Sequence, residues 1–300
     1  MRDPRLTEQR NPASNEIDRL EPLGIVDLIN AEDRRIADAV AAERLSIARA
    51  IDFVEAAFRA DGRLIYVGAG TSGRLGVLDA AEMPPTYGTD PAMVRGVIAG
   101  GYAALVRAQE GAEDHPEDGA AEMDALEVAE NDFVLGIATS GTTPFVHGAV
   151  DRAKARGARV GFLLCTPPPD SLIEKVDVVI APLVGPEVIT GSTRMKSGTA
   201  TKLVLNTITT GAMVRMGKVY GNLMVDLQVT CEKLQDRGER ILQELLDIER
   251  PDARTLLDRA GGHVKTALVM GRLSIDADDA RARLEAADGV ISSIPGVVPS

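Results

Sequence analysis

The stretch "LIYVGAGTSG", residues 64–73, decides the fold. Four apolar residues, Leu64 to Val67, run unbroken into a loop of three glycines and two hydroxyl side chains. A strand that is apolar on both faces belongs in a parallel sheet covered by helices on each side. The glycine spacing is that of the dinucleotide fingerprint, G-x-G-x-x-G. That fingerprint needs an Asp or Glu at the end of the second strand to accept a ribose hydroxyl. The second apolar run, MVRGVIAG (93–100), ends Val97-Ile98-Ala99-Gly100 with no carboxylate. The loop is therefore expected to hold a ligand other than NAD.

Three more apolar runs follow: DFVLGIATSG (132–141), ARVGFLLC (158–165) and VDVVIAPLV (176–184). Helices are expected between them: one to about Glu82, stopped by Pro84-Pro85; one across YAALVRAQEGAED after Gly100-Gly101; and one from about Pro144 to Arg156. The result is an α/β fold, a five-stranded parallel sheet with helices on both faces. Upstream, residues 1–14 read as an extended polar arm, and Ser14 or Asn15 as the cap of a helix beginning EIDRL. A further helix over 31–60 places Ile36, Val40, Leu45, Ile51, Val54 and Phe58 at helical spacing. Downstream, EVITGSTRMKSGTATK leads into a helical stretch from about 197 to 248. Three short helices in 251–288 make a small C-terminal helical domain. The expected domains are 1–60 (arm and N-terminal helices), 61–235 (the sheet domain) and 236–300 (linker helix and helical tail).

Hydrophobic residues form 45% of the 300 and aromatics only 3%, so Ala, Val, Leu and Ile must fill the core. The formal net charge of −12 argues against nucleic acid or an anionic membrane as partner. A small anion held by a local cluster of donors remains open. No apolar run approaches the roughly 20 residues of a membrane span, and the first residues form no apolar signal region. A cytoplasmic location is expected. Cys165 and Cys231 give neither a disulfide framework nor metal spacing, and Cys165 reads as buried strand filler. His115, His147 and His263 form no ligand pair and read as surface or helix residues. Neither metal nor cofactor is expected.

A second loop echoes the first. Strand LGIATSG runs into Ser140-Gly141-Thr142-Thr143-Pro144 and a helix. Helix N-termini favour anions, and hydroxyls can donate to phosphate or sugar oxygens. The plain alternative is that these residues cap helices. Two such loops at one sheet edge favour a ligand, because open α/β sheets bind at the carboxyl ends of their strands.

Paired Ser/Thr loops on such a sheet resemble the sugar isomerase (SIS) fold, which binds phosphosugars. More closely, "LIYVGAGTSGRLGVLDAAEMPPTYG", "EGAED", "SGTTPFV", "TGSTRMKSGTATKLVLN" and "GKVYGNLMVD" resemble the N-acetylmuramic acid 6-phosphate etherase family, as does "TEQRNPASNEID". The resemblance covers most of residues 7–235. It implies cleavage of the ether between sugar carbon 3 and D-lactate, in cell-wall amino-sugar recycling. The implied route opens the ring, removes the carbon 2 proton, expels lactate and adds water. It needs one acid and one base but no redox cofactor. Glu82 matches the position that protonates the leaving lactate, and Glu113 the position that abstracts the proton and activates water. Substrate contacts are implied at Gly70, Thr71, Ser72, Ser140, Gly141, Thr142, Thr143, Ser192, Arg194 and Lys196. Thr142 departs from the Arg of the family's Ser-Gly-Arg-Thr-Pro form, which removes one positive contact. The glucokinase regulatory protein resembles the same family, so a phosphosugar sensor is the alternative; a sugar-phosphate isomerase is a third reading. The presence of both glutamates and of one SIS domain favours the enzyme.

Distance is the difficulty. A helix from Ser72 to Glu82 ends about 15 Å from the phosphate loop, and Glu113 lies well beyond Gly101. Either these helices break early or a second subunit contributes. A homodimer with the site at or near its interface is expected. The apolar run Leu203-Val204-Leu205…Ile208…Met213…Met216 offers either an association face or ordinary packing.

Overall fold

The computed structural model describes residues 5–226 and 232–297. The first four residues of the expected arm, residues 227–231 of the expected long helix, and Cys231 lie outside that range. In chain order the first elements are α1 (Pro22–Asp33), α2 (Ile36–Ala42), α3 (Arg44–Arg59), β1 (Leu64–Gly68), α4 (Gly70–Tyr87), β2 (Val94–Ile98) and α5 (Ala103–Val106). There follow α6 (Pro116–Ala125), β3 (Phe133–Ile137), α7 (Pro144–Ala155), β4 (Arg159–Leu163), α8 (Asp170–Lys175), β5 (Val178–Ile180) and α9 (Lys196–Arg215). The last are β6 (Val219–Tyr220), β7 (Leu223–Met224), α10 (Glu232–Leu246), α11 (Arg250–Arg259), α12 (Val264–Leu273) and α13 (Ala277–Ala286). They form two compact units, Met1–Glu82 with Pro91–Thr209, and Met83–Asp90 with Thr210–Ser300. Two of the three divisions in the chain, at 82/83 and 209/210, fall inside helices, α4 and α9; the third, at 90/91, lies between α4 and β2.

The larger unit holds the five expected strands, all parallel, in the order β2-β1-β3-β4-β5. The chain reverses direction across the sheet between β1 and β3. That is the topological switch point, where a crevice opens at the carboxyl ends of the strands. One face packs Ile65, Val67, Val134, Val160 and Phe162 against Met123 of α6 and Phe145, Val146, Ala149 and Val150 of α7. On the other face the Tyr66 hydroxyl donates to Asp79 of α4 at 2.9 Å. Asp79 also accepts from Asn206 (2.6 Å) and Thr209 (3.3 Å) of α9. Burial pushes the Asp79 carboxyl up, and these three hydrogen bonds only partly oppose it. Burial and the charge of Asp79 push the Tyr66 phenol well above its ordinary value, so it remains the donor. Cys165 is buried as expected, and burial pushes its thiol up to about 12.

Several helices differ from expectation. The 31–60 segment breaks at Glu43, whose φ of −89° and ψ of 11° leave helical values. Asn11, not Ser14 or Asn15, caps a short turn at Pro12–Ser14, and α1 starts at Pro22, where the missing N–H costs nothing. Helix α4 passes through Pro84-Pro85 to Tyr87; the Gly88 N–H still reaches the Pro84 carbonyl at 2.9 Å. After β2, Gly100 and Gly101 both take positive φ (81° and 66°), and the expected long helix shrinks to the four residues of α5. The 197–248 stretch ends its first helix at Arg215, before Gly217 at φ 70°. Val204, Leu205, Ile208 and Met213 are fully buried within the chain, so the packing alternative holds for that run.

The smaller unit contains the β6–β7 antiparallel hairpin and helices α10 to α13. The three tail helices lie where they were expected. Its core joins Val225, Leu242, Leu257, Leu268, Val269, Leu284 and Ile291. Glu239, 2% exposed, accepts from Arg250 at 2.7 Å and ties α10 to the start of α11.

At the amino end of the sheet Asp132 joins β1 to β3. It accepts from the Arg63 backbone N–H (2.9 Å), the Arg63 guanidinium (2.7 and 3.0 Å) and the Ala129 N–H (3.0 Å). Burial would raise its carboxyl, but these hydrogen bonds outweigh that and hold it below the ordinary carboxylate range. Its stabilisation is therefore present above the unfolded value and lost as pH falls through the depressed one. Asp132→Asn is expected to cost about 3 kcal/mol at pH 7 in urea unfolding. That difference should shrink as pH falls below about 4; a difference independent of pH would count against the assignment.

Candidate functional site

Three loops meet at the carboxyl ends of the strands. In the first, Gly68 and Gly73 are there for packing. A β-carbon on Gly73 would lie 2.8 Å from the Gly68 carbonyl and 2.6 Å from Ile98. Gly70 differs: its φ is 51°, and nothing lies within 4 Å of where its β-carbon would stand. The backbone there is open to an approaching ligand. Thr71 is half-buried and Ser72 buried in the first turn of α4.

In the second loop, Gly141 takes φ 76°. The Ser140 and Thr142 hydroxyls lie 3.0 Å apart, and Thr143 at the start of α7 caps no N–H with its side chain. These hydroxyls are thus not used up as helix caps. His147, read from sequence as filler, supports this loop. Its Nε2 lies 2.8 Å from the Gly141 carbonyl and its ring stacks on Phe162 at 5.1 Å.

The third loop carries Ser192 and Arg194 ahead of α9. Here the expected open helix N-terminus is filled. Glu187, fully buried, accepts from the Lys196 N–H at 3.0 Å and the Ser197 N–H at 2.9 Å. A carboxylate of the protein itself sits where an anion would bind. Lys196 is likewise withdrawn: it is 1% exposed, and its Nζ lies 2.5 Å from Glu32 Oε2. Burial opposes the charge on Glu32, but hydrogen bonds from Lys196 and Asn11 hold its carboxyl below its ordinary value. Glu32 and Lys196 are so far apart in the chain that no local pattern links them. Arg194 remains exposed. The N-terminal arm braces this loop: the Gly191 N–H donates to the Thr7 carbonyl (3.0 Å), and Asn11 Nδ2 donates to the Pro186 carbonyl (3.2 Å) and Glu32 (2.8 Å).

The two glutamates separate. Glu113 comes close to the first loop, lining a cavity of about 190 Å³ with Ala69, Gly70 and Arg74. Two features return the chain to this place. The paired glycines turn it after β2, and Arg74 donates to the carbonyls of Ala104 (2.7 Å) and Leu105 (3.2 Å). Arg74 was not singled out from sequence, although it directly follows Gly73. Glu82 sits elsewhere, about 18 Å along α4 from Gly70. It is exposed, and lines a different cavity with Leu78, Asp79, Lys202 and Asn206. The early break expected as one escape from the distance problem occurs in the helix after β2 but not in α4. Among the described residues no group of three or more His, Cys, Asp or Glu side chains is placed to hold a metal ion.

Such an arrangement offers hydroxyls, open backbone and one exposed guanidinium for a phosphorylated ligand, with carboxylates in two separate cavities. The family described as the glucokinase regulatory protein N-terminal SIS domain matches residues 46–154. A protein named N-acetylmuramic acid 6-phosphate etherase from Salinibacter ruber is 55% identical over 285 residues, 95% of this chain and 92% of that one. One of the same name from Aeromonas hydrophila is 50% identical over 287 residues, 96% of each chain. Among solved structures, phosphoheptose isomerase from Neisseria gonorrhoeae superposes with a TM-score of 0.50 at 19% identity, over 64% of this chain and 99% of that one. That likeness shows the fold.

The buried pair makes a direct test of where Lys196 acts. Lys196→Met is expected to lower stability in urea by about 3 kcal/mol, because Glu32 is left buried beside an apolar chain. The double variant Lys196→Met with Glu32→Gln should lose less than the single one. Unchanged stability with weakened phosphosugar binding would instead put Lys196 on the ligand.

Proposed function

The chain belongs to the N-acetylmuramic acid 6-phosphate etherase family, and from that membership we infer that it cleaves the D-lactyl ether of N-acetylmuramic acid 6-phosphate. The products are N-acetylglucosamine 6-phosphate and D-lactate, and the enzyme is a carbon–oxygen lyase of amino-sugar metabolism. The observation that carries this is identity of 50% or more over almost the full length of both chains. Phosphorylated sugars do not leak across membranes, and we place the enzyme with them in the cytoplasm, in the recycling of cell-wall sugars. No helix among the described residues is long and apolar enough to cross a membrane.

The site residues take the following roles in this reading. Gly70, Thr71 and Ser72 of the first loop, Ser140, Gly141, Thr142 and Thr143 of the second, and Ser192 of the third surround the phosphosugar with N–H and O–H donors. Arg194 supplies positive charge. Ring opening exposes the carbon 1 aldehyde, which acidifies the proton on carbon 2. Glu113, beside Gly70, removes that proton. The electron pair forms the carbon 2–carbon 3 double bond, and lactate leaves carbon 3 with a proton from Glu82. Glu113 then passes its proton to solvent, from which Glu82 is reprotonated; the ionised Glu113 takes a proton from the water that adds to carbon 3 and returns it to carbon 2. Direct displacement would require an unassisted alkoxide leaving group; elimination avoids this because the carbanion is conjugated with the aldehyde.

Glu82 of the same chain lies too far along α4 to serve the Gly70 loop. We therefore assign the working form to a homodimer in which Glu82 of one subunit completes the loops of the other. Exposed apolar side chains on this unit, Leu78 (55%), Tyr102 (85%) and Val106 (89%), are in keeping with a contact surface.

Incubation with N-acetylmuramic acid 6-phosphate in heavy water is expected to release D-lactate and give product deuterated at carbon 2. Lactate release with no deuterium at carbon 2 of the sugar product would speak against elimination, unless the abstracted proton is fully retained. Glu82→Gln and Glu113→Gln should each lower kcat by about a hundredfold or more. Mixed and reassociated, the two inactive variants should regain about a quarter of wild-type activity, since half the dimers carry one intact site of two. Continued inactivity of a mixture shown to exchange subunits would place both glutamates in one chain.

A further inference from the structure

The cavity at Glu82 holds a cation. Its volume is about 230 Å³, and its walls include Leu75 and Leu78 of α4 and Lys202 and Leu205 of α9. Several other cations in this unit are already matched: Lys196 by Glu32, Arg63 by Asp132, and Lys175 by Asp151. Lys202 is exposed and forms no ion pair within 4 Å among the described residues. Asp79 feels its charge, but the Asp79 carboxylate is buried and already accepts from Tyr66, Asn206 and Thr209.

The substrate brings two anionic groups, and the loops at the sheet edge account for one. The other is the lactyl carboxylate, bonded to the same carbon that bears the ether oxygen. Whatever group protonates that oxygen has this carboxylate as its neighbour. An anion placed in a cavity beside Glu82 and Asp79 without a cation would be strongly disfavoured. We propose that Lys202 is the specificity-determining residue for the lactyl arm: its ammonium binds the carboxylate, and the leucines of the same cavity face the methyl group. This rests on the reading above, in which Glu82 protonates the leaving oxygen. Both residues belong to one cavity of one chain, so the pairing holds whichever subunit supplies the phosphate loops. Held in this way, the lactyl arm keeps its ether oxygen on Glu82 as the carbon–oxygen bond breaks. An N-acetylhexosamine 6-phosphate without the arm gains nothing from Lys202.

The test uses Lys202→Met in the full chain, with Lys202→Arg beside it. Three compounds are compared: N-acetylmuramic acid 6-phosphate, its analogue with the lactyl carboxylate converted to the amide, and N-acetylglucosamine 6-phosphate as inhibitor. Wild type is expected to prefer carboxylate over amide by about tenfold or more in kcat/KM, the size of one charge-assisted hydrogen bond. Lys202→Met should lose that preference by losing rate on the carboxylate alone. Inhibition by N-acetylglucosamine 6-phosphate should be unchanged, and Lys202→Arg should recover part of the preference. Equal losses on both substrates together with weaker inhibition would assign Lys202 to the phosphate or to the fold, and overturn the proposal. An unchanged preference in Lys202→Met would overturn it as well. Failure of the underlying reading looks different: wild type would release no lactate, or Glu82→Gln would act at the normal rate.

Discussion

Everything at the ligand edge depends on how closely the backbone of α4 approaches the end of β1. Gly68 and Gly73 touch without side chains between them, so the helix begins as soon as the strand stops. That contact leaves Gly70 as a left-handed corner with empty space above it. It also fixes the direction of α4, and with it the position of every later residue on that helix. Asp79 reaches Tyr66 beneath the sheet, and Glu82 is carried away from the loop that the helix opens. The third glycine thus serves helix–strand packing, as in a dinucleotide fold, while the ligand class is set by the hydroxyls and by the missing carboxylate after β2.

Much of this could be read in the sequence, for a physical reason. Strands buried on both faces must be apolar throughout, so β1 and β3 were visible as unbroken runs, while β2 showed through despite its exposed Arg95. The Ser/Thr loops were visible because strand ends in a parallel sheet are marked by abrupt changes of composition. Helix limits were less legible. Pro84-Pro85 looked like a stop, yet two missing N–H groups near the last turn did not end α4. The acidic run after Gly101 looked like a helix, but two consecutive left-handed glycines and two hydrogen bonds from Arg74 turned it back. That turn brought Glu113 to Gly70, which sequence spacing alone opposed.

The charges were hardest to read. Lys196 stands among hydroxyls and beside Arg194, in what looks like an anion site. Its partner Glu32 belongs to the first long helix, and Glu187 occupies the helix start that a phosphate would otherwise favour. Both pairings are tertiary, and nothing local announces them. In an acidic chain the useful question about a basic residue is whether folding has already matched its charge. By that measure Arg194 and Lys202 are exposed and outside any ion pair among the described residues, whereas Lys196 is matched by Glu32.

The brace between Thr7 and Gly191 also bears on how the molecule is made. The segment around Thr7 is made well before the loop ahead of α9, so the N–H that binds it does not yet exist when it emerges. At ordinary synthesis rates it waits roughly ten to forty seconds for the loop ahead of α9 to emerge. Asn11 can meet Glu32 early, but the arm's contacts at Thr166 and Pro186 also come late. These bracing contacts therefore form late, and the ligand edge is complete only after the whole sheet has been laid down.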